Sequence, residues 1–348
     1  MSLASALRSG DVAELPSRRD EDWHWTDLRG LIRTIPAGSP PGDAAALTPG
    51  VFDDLADETI VFLNGRRLSG SGPLVVAAGA PRTIALRFVS QAHETAHHCP
   101  LSLDLAPGAV LTLLETYESA GAAYVADVEI DIRLGEGARL GRVALIDEAD
   151  DAVAVSTAEI DLAAHAAFAQ TALTSGAKRQ RFETRLRHGA GAEARLDGVY
   201  LLDGEQRGDL TTQVIHNHLG ATTLQLTKGC VRGQARGVFQ GRIIVNRGAD
   251  GTDARMGHHA LILSERAEVD AKPELEIYAD DVSCSHGNTV GALDDEALFY
   301  MAQRGIPDAE ARALLTEAFV GEVVDRIEHE GARDVARDWV AERLRGAS

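Results

Sequence analysis

The sequence contains little of several residue types, and each shortage excludes a class of protein. Aromatic residues make up 5% of the 348 residues, so Ala, Val, Leu and Ile must fill the core. The formal net charge of −19 argues against a surface that binds nucleic acid or an anionic membrane, because both need a positive field. Apolar runs are short, which predicts that no segment spans a membrane.

Cysteine is also scarce. The three cysteines, Cys99, Cys230 and Cys284, are odd in number and widely spaced. The first ten residues carry no charged leader followed by an apolar core. Together these features predict a reducing, cytoplasmic setting. Cys99 and Cys230 are most simply explained as small buried apolar residues.

The standard catalytic signatures are missing as well. There is no G-x-x-x-x-G-K-[ST] loop, so the chain is not expected to bind a nucleotide through a P-loop. A G-x-S-x-G elbow, an H-E-x-x-H helix and a C-x-x-C pair are also absent. The glycine-rich stretches that do occur lie between strand-like runs, where turn formation explains them.

Three regions follow one another along the chain. Residues 1–50 are predicted to form an N-terminal helical segment and linker, in which Trp23 and Trp25 anchor the segment on the main domain. Residues 51–292 contain short alternating strands, and Asn64-Gly65 between two of them predicts a tight turn. Residues 293–348 change to a helical period, with an N-cap at Asp294. An apolar stripe follows it, formed by Ala311, Leu314, Leu315, Ala318, Phe319 and Val323.

The middle region is mainly β. No convincing helix interrupts residues 101–277, which excludes folds that alternate strands and helices. A sandwich, a barrel and a β-solenoid all remain open. Gly-Ala before a strand recurs without a fixed period, so the sequence shows no repeat by itself. The recurrences are Gly108-Ala109, Gly137-Ala138 and Gly191-Ala192.

Histidine is the richest chemical signal. Thiolate and imidazole together suit iron–sulfur, zinc or copper(I) sites. A His-His pair in a strand places its rings on opposite faces, so His258 and His259 are expected to be an ordinary surface pair. His216 and His218 would share one face of a strand and could both be ligands. The clusters are His97-His98-Cys99, His216-Asn217-His218, His258-His259 and Cys284-Ser285-His286.

The stretch from Pro273 to Gly291 is both a boundary and a candidate site. It begins as an alternating strand and ends in a polar segment that contains Cys284 and His286. In an extended segment these two side chains point to the same face. Two ligands cannot complete a four-coordinate site. The remaining ligands must come from elsewhere in the chain or from a second chain.

The same stretch carries a resemblance to a known family. Together with Leu293 to Tyr300 and Gln303 to Ile306, it resembles the signature of the SufB/SufD family of iron–sulfur cluster assembly proteins. The segment Cys284-Ser285-His286-Gly287 resembles the SufD form more closely than the SufB form. Further similar segments are Asp22 to Leu28, Lys228-Gly229, Val238 to Ile243, Thr252 to Ala254 and Leu261 to Ser264.

The resemblance implies a right-handed parallel β-helix, or solenoid, with helical N- and C-terminal regions. It implies a non-catalytic scaffold subunit that pairs with a SufB-like homologue, or with a second copy of itself when alone. A transient iron–sulfur cluster would be shared at that interface, with His286 as the ligand from this chain and Cys284 beside it. A SufC-like ABC ATPase would bind the C-terminal helices, where we assign Leu314, Leu315 and Phe319 to the contact.

Two other interpretations compete with this one. The first is a stand-alone, cupin-like metal-dependent enzyme that uses His216, His218 and one more ligand. It predicts metal in the isolated chain. The second is a purely structural stabiliser of a SufB-like partner, in which Cys284 and His286 are packing residues. Cluster loading of variants distinguishes that second interpretation from the scaffold with a ligand.

Overall fold

The computed structural model describes residues 1–345, so the last three residues of the predicted helical region 293–348 lie outside it. The described residues form eighteen strands and five α-helices. The α-helices are α1 (Leu3–Ser9), α2 (Leu28–Leu31), α3 (Asp295–Gln303), α4 (Asp308–Val324) and α5 (Glu330–Arg345). The strands are β1 (Glu58–Leu63), β2 (Arg66–Arg67), β3 (Leu74–Val76), β4 (Arg82–Ser90), β5 (Ala96–Leu105), β6 (Val110–Ser119), β7 (Val125–Leu134), β8 (Arg139–Asp147), β9 (Val153–Leu162), β10 (Ala167–Thr174), β11 (Arg179–His188), β12 (Glu193–Leu202), β13 (Arg207–His216), β14 (Thr222–Val231), β15 (Arg236–Val245), β16 (Asp253–Ile262), β17 (Glu268–Ile277) and β18 (Ser283–Gly291).

The strands form two sheets that face each other across a closed interior. From β3 onwards, consecutive strands alternate between a ten-stranded and an eight-stranded sheet, and each pairs in parallel with the strand two positions later. This is the predicted β-solenoid, and it replaces the sandwich and the barrel. Ala167 pairs with Glu193, whereas Thr222 pairs with Asp253. Successive turns therefore differ in length, which explains why the sequence shows no fixed period.

The recurrent Gly-Ala pairs mark the corners of the solenoid. Gly108, Gly137 and Gly191 have φ values of 71°, 65° and 61°, in the left-handed region that favours glycine. The alanine after each of them is fully buried. The glycine turns the chain, and the small side chain that follows fits into the crowded corner at the start of the next strand.

We call the interior of the solenoid the lumen. It is mainly apolar, but it also contains buried polar side chains. Arg142 and Glu115 are both completely buried there. Two parallel hydrogen bonds of 2.7 and 2.8 Å join the guanidinium to the carboxylate, and Gln170 accepts a third. This bidentate geometry compensates the cost of burying both charges.

The N-terminal segment packs on the outer face of the eight-stranded sheet. Its α-helices are short: α1 has seven residues and α2 has four. The anchoring role of Trp23 is confirmed: it is buried, and the guanidinium of Arg181 lies 4.3 Å from its ring centroid. Trp25 is half-buried.

The C-terminal helices α4 and α5 pack on the outer face of the ten-stranded sheet. The buried face of α4 is rotated from the predicted stripe and consists of Ala311, Thr316, Val320, Val323 and Val324. Within the predicted stripe, Leu315 and Phe319 are half-buried, whereas Leu314 and Ala318 are exposed and remain open to a partner. No helix within residues 1–345 is long and apolar enough to cross a membrane.

Candidate functional site

The candidate site lies at the C-terminal end of the solenoid, where β17 and β18 form the last turn. β18 pairs only with β16, and β17 pairs only with β15, within the described chain. Each of these strands therefore presents one unpaired edge of backbone N–H and C=O groups. We call this last turn the open end. Several of its apolar side chains are exposed, namely Ile277, Tyr278 and Val290.

The strand register places Cys284 and His286 on the lumen face of the open end. Cys284 pairs with Ala254, and His286 pairs with Met256. Ala254 and Met256 belong to the lumen core, and paired positions in parallel strands share a face. The two candidate ligands therefore point in the same direction, as their spacing predicts. In the part of the chain that the structure describes, no further turn of the solenoid covers them.

Burial differs between the two side chains. Cys284 is half-buried against the lumen core, whereas His286 is exposed. Partial burial raises the pKa of the Cys284 thiol. Of the two side chains, the imidazole of His286 is therefore the more accessible to another molecule.

A hydrogen-bonded chain reaches the open end from the lumen. The hydroxyl of Tyr200 lies 2.9 Å from Nε2 of His258, and Nδ1 of His258 lies 2.7 Å from Oδ1 of Asn288. Asn288 follows His286 on the same face of β18. Sequence reasoning missed Tyr200 and Asn288. The available signal was glycine inside the strands, because Gly229 and Gly237 leave room for the Tyr200 ring.

The predicted surface pair of His258 and His259 is wrong for His258. This residue is completely buried, and its ring stacks on Phe239 with centroids 4.7 Å apart. Burial lowers its pKa to about 4. His259 is on the outer face, where Nδ1 lies 2.7 Å from the hydroxyl of Thr289. The two rings do lie on opposite faces.

The predicted ligand pair of His216 and His218 does not form. His216 is the last residue of β13 and is fully buried, whereas His218 is in the following turn and is exposed. The ring of His216 stacks on His188 at 4.3 Å, and both Nε2 atoms contact the hydroxyl of Thr223. The histidine pair required by the cupin-like enzyme is therefore absent.

A group of three potential ligands occurs once in residues 1–345, and it is not at the open end. It consists of His98, Asp127 and Glu129 on β5 and β7. Nδ1 of His98 lies 2.7 Å from Asp127, and Nε2 faces a guanidinium nitrogen of Arg8 at 3.5 Å. These contacts engage both ring nitrogens. The two candidate ligands at the open end therefore have no third partner of this kind in the described chain.

The residues assigned to an ATPase contact differ in exposure. Leu314 is 43% exposed on α4, and Leu315 is half-buried. Phe319 is also half-buried, with the ammonium of Lys228 4.4 Å from its ring centroid. Phe319 therefore helps to dock α4 on the solenoid. Leu314 is the most accessible of the three for another protein.

Comparison with known proteins agrees with this architecture. The family described as the SUF system FeS cluster assembly SufBD core domain matches residues 88–319, more than half of the chain. The chain belongs to this family. It is similar to the iron–sulfur cluster assembly protein SufD of Escherichia coli (strain K12), with 28% identity over 395 residues, covering 99% of this chain and 92% of the relative.

Two further relatives support the same family assignment. A SufBD family iron–sulfur cluster assembly protein of Synechocystis sp. is 27% identical, over 90% of this chain and 84% of the relative. SufD of Bacillus subtilis (strain 168) is 34% identical over a shorter region, 42% of this chain and 33% of the relative. Within the family, this chain is close to SufD.

Proposed function

We propose that this chain is a SufD-like scaffold subunit that forms one half of an iron–sulfur cluster assembly site. The other half comes from a SufB-like homologue that docks on the open end, in a cytoplasmic complex with a SufC-like ATPase. The chain performs no turnover of its own and binds no nucleotide. In the absence of that homologue, the same edge can pair with a second copy of this chain.

The observation that carries this proposal is that the open end presents two candidate ligands beside an unpaired strand edge. Cys284 and His286 point from the lumen face of the last turn, and within residues 1–345 no strand other than β16 pairs with β18. Thiolate and imidazole are ligands of iron–sulfur clusters. A strand added to the free edge of β18 would satisfy its backbone groups and bring further ligands to the same place.

The position of the C-terminal helices gives the ATPase a direct route to this site. β18 ends at Gly291 and α3 begins at Asp295, so the site and the helices are joined by only a few residues. α4 then packs against the outer face of β14, where its Glu322 carboxylate pairs with Lys228. We infer that ATP binding by the ATPase moves α3 and α4 and that β18 transmits the movement to His286.

Cluster loading of the His286→Ala variant tests the ligand assignment. The chain is co-expressed with a SufB-like and a SufC-like protein from the same genome, and iron and sulfide are measured in the purified complex. We expect the variant complex to assemble but to hold much less cluster than wild type, because the ligand from this side is missing.

Ser285→Ala is the matched control. Ser285 is the exposed neighbour of His286 in β18 and points to the opposite face, so its loss is expected to leave loading unchanged. Wild-type loading in His286→Ala would contradict the ligand assignment. That outcome would favour a purely structural role for the chain in stabilising its partner.

A further inference from the structure

A polar chain inside an otherwise apolar lumen requires an explanation. Tyr200 and His258 are both completely buried, and their hydrogen bonds lead to the surface through Asn288. Glycine residues make room for this arrangement: a Cβ atom at Gly229 would lie 1.8 Å from the Tyr200 ring, and one at Gly237 would lie 2.5 Å from it. The ring is therefore held in one position.

The donor and acceptor roles in this chain follow from its last member. Oδ1 of Asn288 is a carbonyl oxygen, so it can only accept, and Nδ1 of His258 must donate. Burial lowers the pKa of His258 to about 4, so the ring is neutral at pH 7. Nε2 of the neutral ring then accepts a hydrogen bond from the Tyr200 hydroxyl. The Tyr200 hydroxyl therefore donates to His258, and His258 in turn donates to Asn288.

This arrangement fixes the orientation of the Asn288 amide. With Oδ1 held by His258, the Nδ2 group points away from the histidine, and it has no hydrogen-bond partner within residues 1–345. Asn288 and His286 occupy adjacent positions on one face of β18, about 6.6 Å apart along the strand. The structure thus presents an oriented N–H donor beside the proposed ligand.

We propose that Asn288 donates a hydrogen bond to a sulfide of the cluster held at Cys284 and His286, and that His258 and Tyr200 orient it for this purpose. The proposal rests on the proposed function. Hydrogen bonds to cluster sulfurs stabilise the more negative, reduced state and so raise the reduction potential. Asn288 is then a residue that contacts the cargo, whereas His258 and Tyr200 are positioning residues.

The reduction potential of the assembled cluster tests this proposal. The complex with the SufB-like and SufC-like proteins is loaded with ferrous iron and sulfide, and its midpoint potential is determined by redox titration. Asn288→Ala is expected to shift the potential to a more negative value, because the donor is lost without a change in charge. His258→Phe is expected to produce a smaller shift in the same direction, because the amide remains but is no longer held.

Thr289→Ala is the matched control. Thr289 is the next residue of β18, and its hydroxyl contacts His259 on the outer face. Its removal breaks an equivalent contact to a histidine without reaching the site, so the potential is expected to stay at the wild-type value. Because a structural contact alone leaves the potential unchanged, the comparison separates donation to the cluster from packing.

The outcomes distinguish this inference from the proposed function. A wild-type potential in Asn288→Ala, with loading lost in His286→Ala, overturns the inference and leaves the proposed function standing. Wild-type loading in His286→Ala overturns both. Loss of cluster in Asn288→Ala, with the melting temperature of the chain unchanged, supports the inference, because the donor then contributes to holding the cluster.

Discussion

Gly229 is the position at which the smallest change should have the largest structural effect. It lies in β14 and pairs with Tyr200 of β12, the neighbouring strand of the same sheet, and a Cβ on it would meet the Tyr200 ring. In Gly229→Ala, the new Cβ would lie 1.8 Å from Cζ and 1.9 Å from Cε2 of that ring. Ordinary contacts between carbon atoms are about 3.5–4.0 Å, so the ring would have to move by about 2 Å.

The ring has little space for such a movement. Tyr200 is completely buried, Gly237 approaches it from the next strand of the other sheet, and His258 holds its hydroxyl. Overpacking of this kind costs about 1–3 kcal/mol. Replacing glycine by alanine at an unstrained strand position stabilises by about 0.5–1 kcal/mol. The steric term decides the sign, so Gly229→Ala is expected to be destabilising.

Urea unfolding followed by circular dichroism measures the effect, with Gly141→Ala as the control. Gly141 is also within a strand, and a Cβ there would meet no atom within 4 Å. The gain from replacing glycine is common to both variants, so they are expected to differ in free energy of unfolding by the overpacking cost alone, about 1–3 kcal/mol. In a Tyr200→Val background, the cost of Gly229→Ala should largely disappear. Equal stability of the two alanine variants would refute the reasoning.

Two further predictions concern the helices and the buried histidines. Leu314→Glu should prevent co-purification of a SufC-like ATPase. The control Leu219→Glu, at an exposed leucine in a solenoid turn, should not prevent it. If both variants still bind the ATPase, the face of α4 around Leu314 is not the docking surface. Burial lowers the pKa of His188 to about 2 and that of His216 to about 4, so as pH falls below 6.5 the unfolded chain takes up protons that the folded chain cannot. The free energy of unfolding should fall by about 2 kcal/mol for each histidine between pH 6.5 and 5. In the double variant His188→Gln/His216→Gln, urea unfolding at the two pH values should no longer show this fall.

Local sequence signals predict the strands but not the way in which they pair. Alternation and the glycine corners, such as Gly108 and Gly137, identify β-structure because both are properties of neighbouring residues. The choice of a solenoid depends on register between residues about one turn apart, such as Thr222 and Asp253. Turns of unequal length hide that register. The family resemblance therefore identified the solenoid where pattern alone left three architectures open.

For the candidate site too, the sequence predicts contacts within one strand but not contacts between distant strands. The shared face of Cys284 and His286 follows from a two-residue spacing within one strand, so sequence predicts it. Whether His258 points to solvent or to the lumen depends on Tyr200 and Asn288, which are distant in sequence. Two adjacent histidines in the sequence do not indicate that Tyr200 and Asn288 lie next to one of them in the fold. The N-terminal anchor was predictable because a tryptophan rarely stays exposed, although its partner Arg181 was not.

Three separate deficits meet at the open end of the solenoid. β18 has an unpaired backbone edge, which in an isolated protein favours uncontrolled association. Ile277, Tyr278 and Val290 expose apolar surface around it. The proposed site supplies Cys284 and His286, two of the ligands that a cluster would need. A strand of a homologous solenoid would pair with the edge, cover the apolar side chains and supply ligands in one step. Any other position for the site would require three separate explanations, and for this reason we assign the site to the interface.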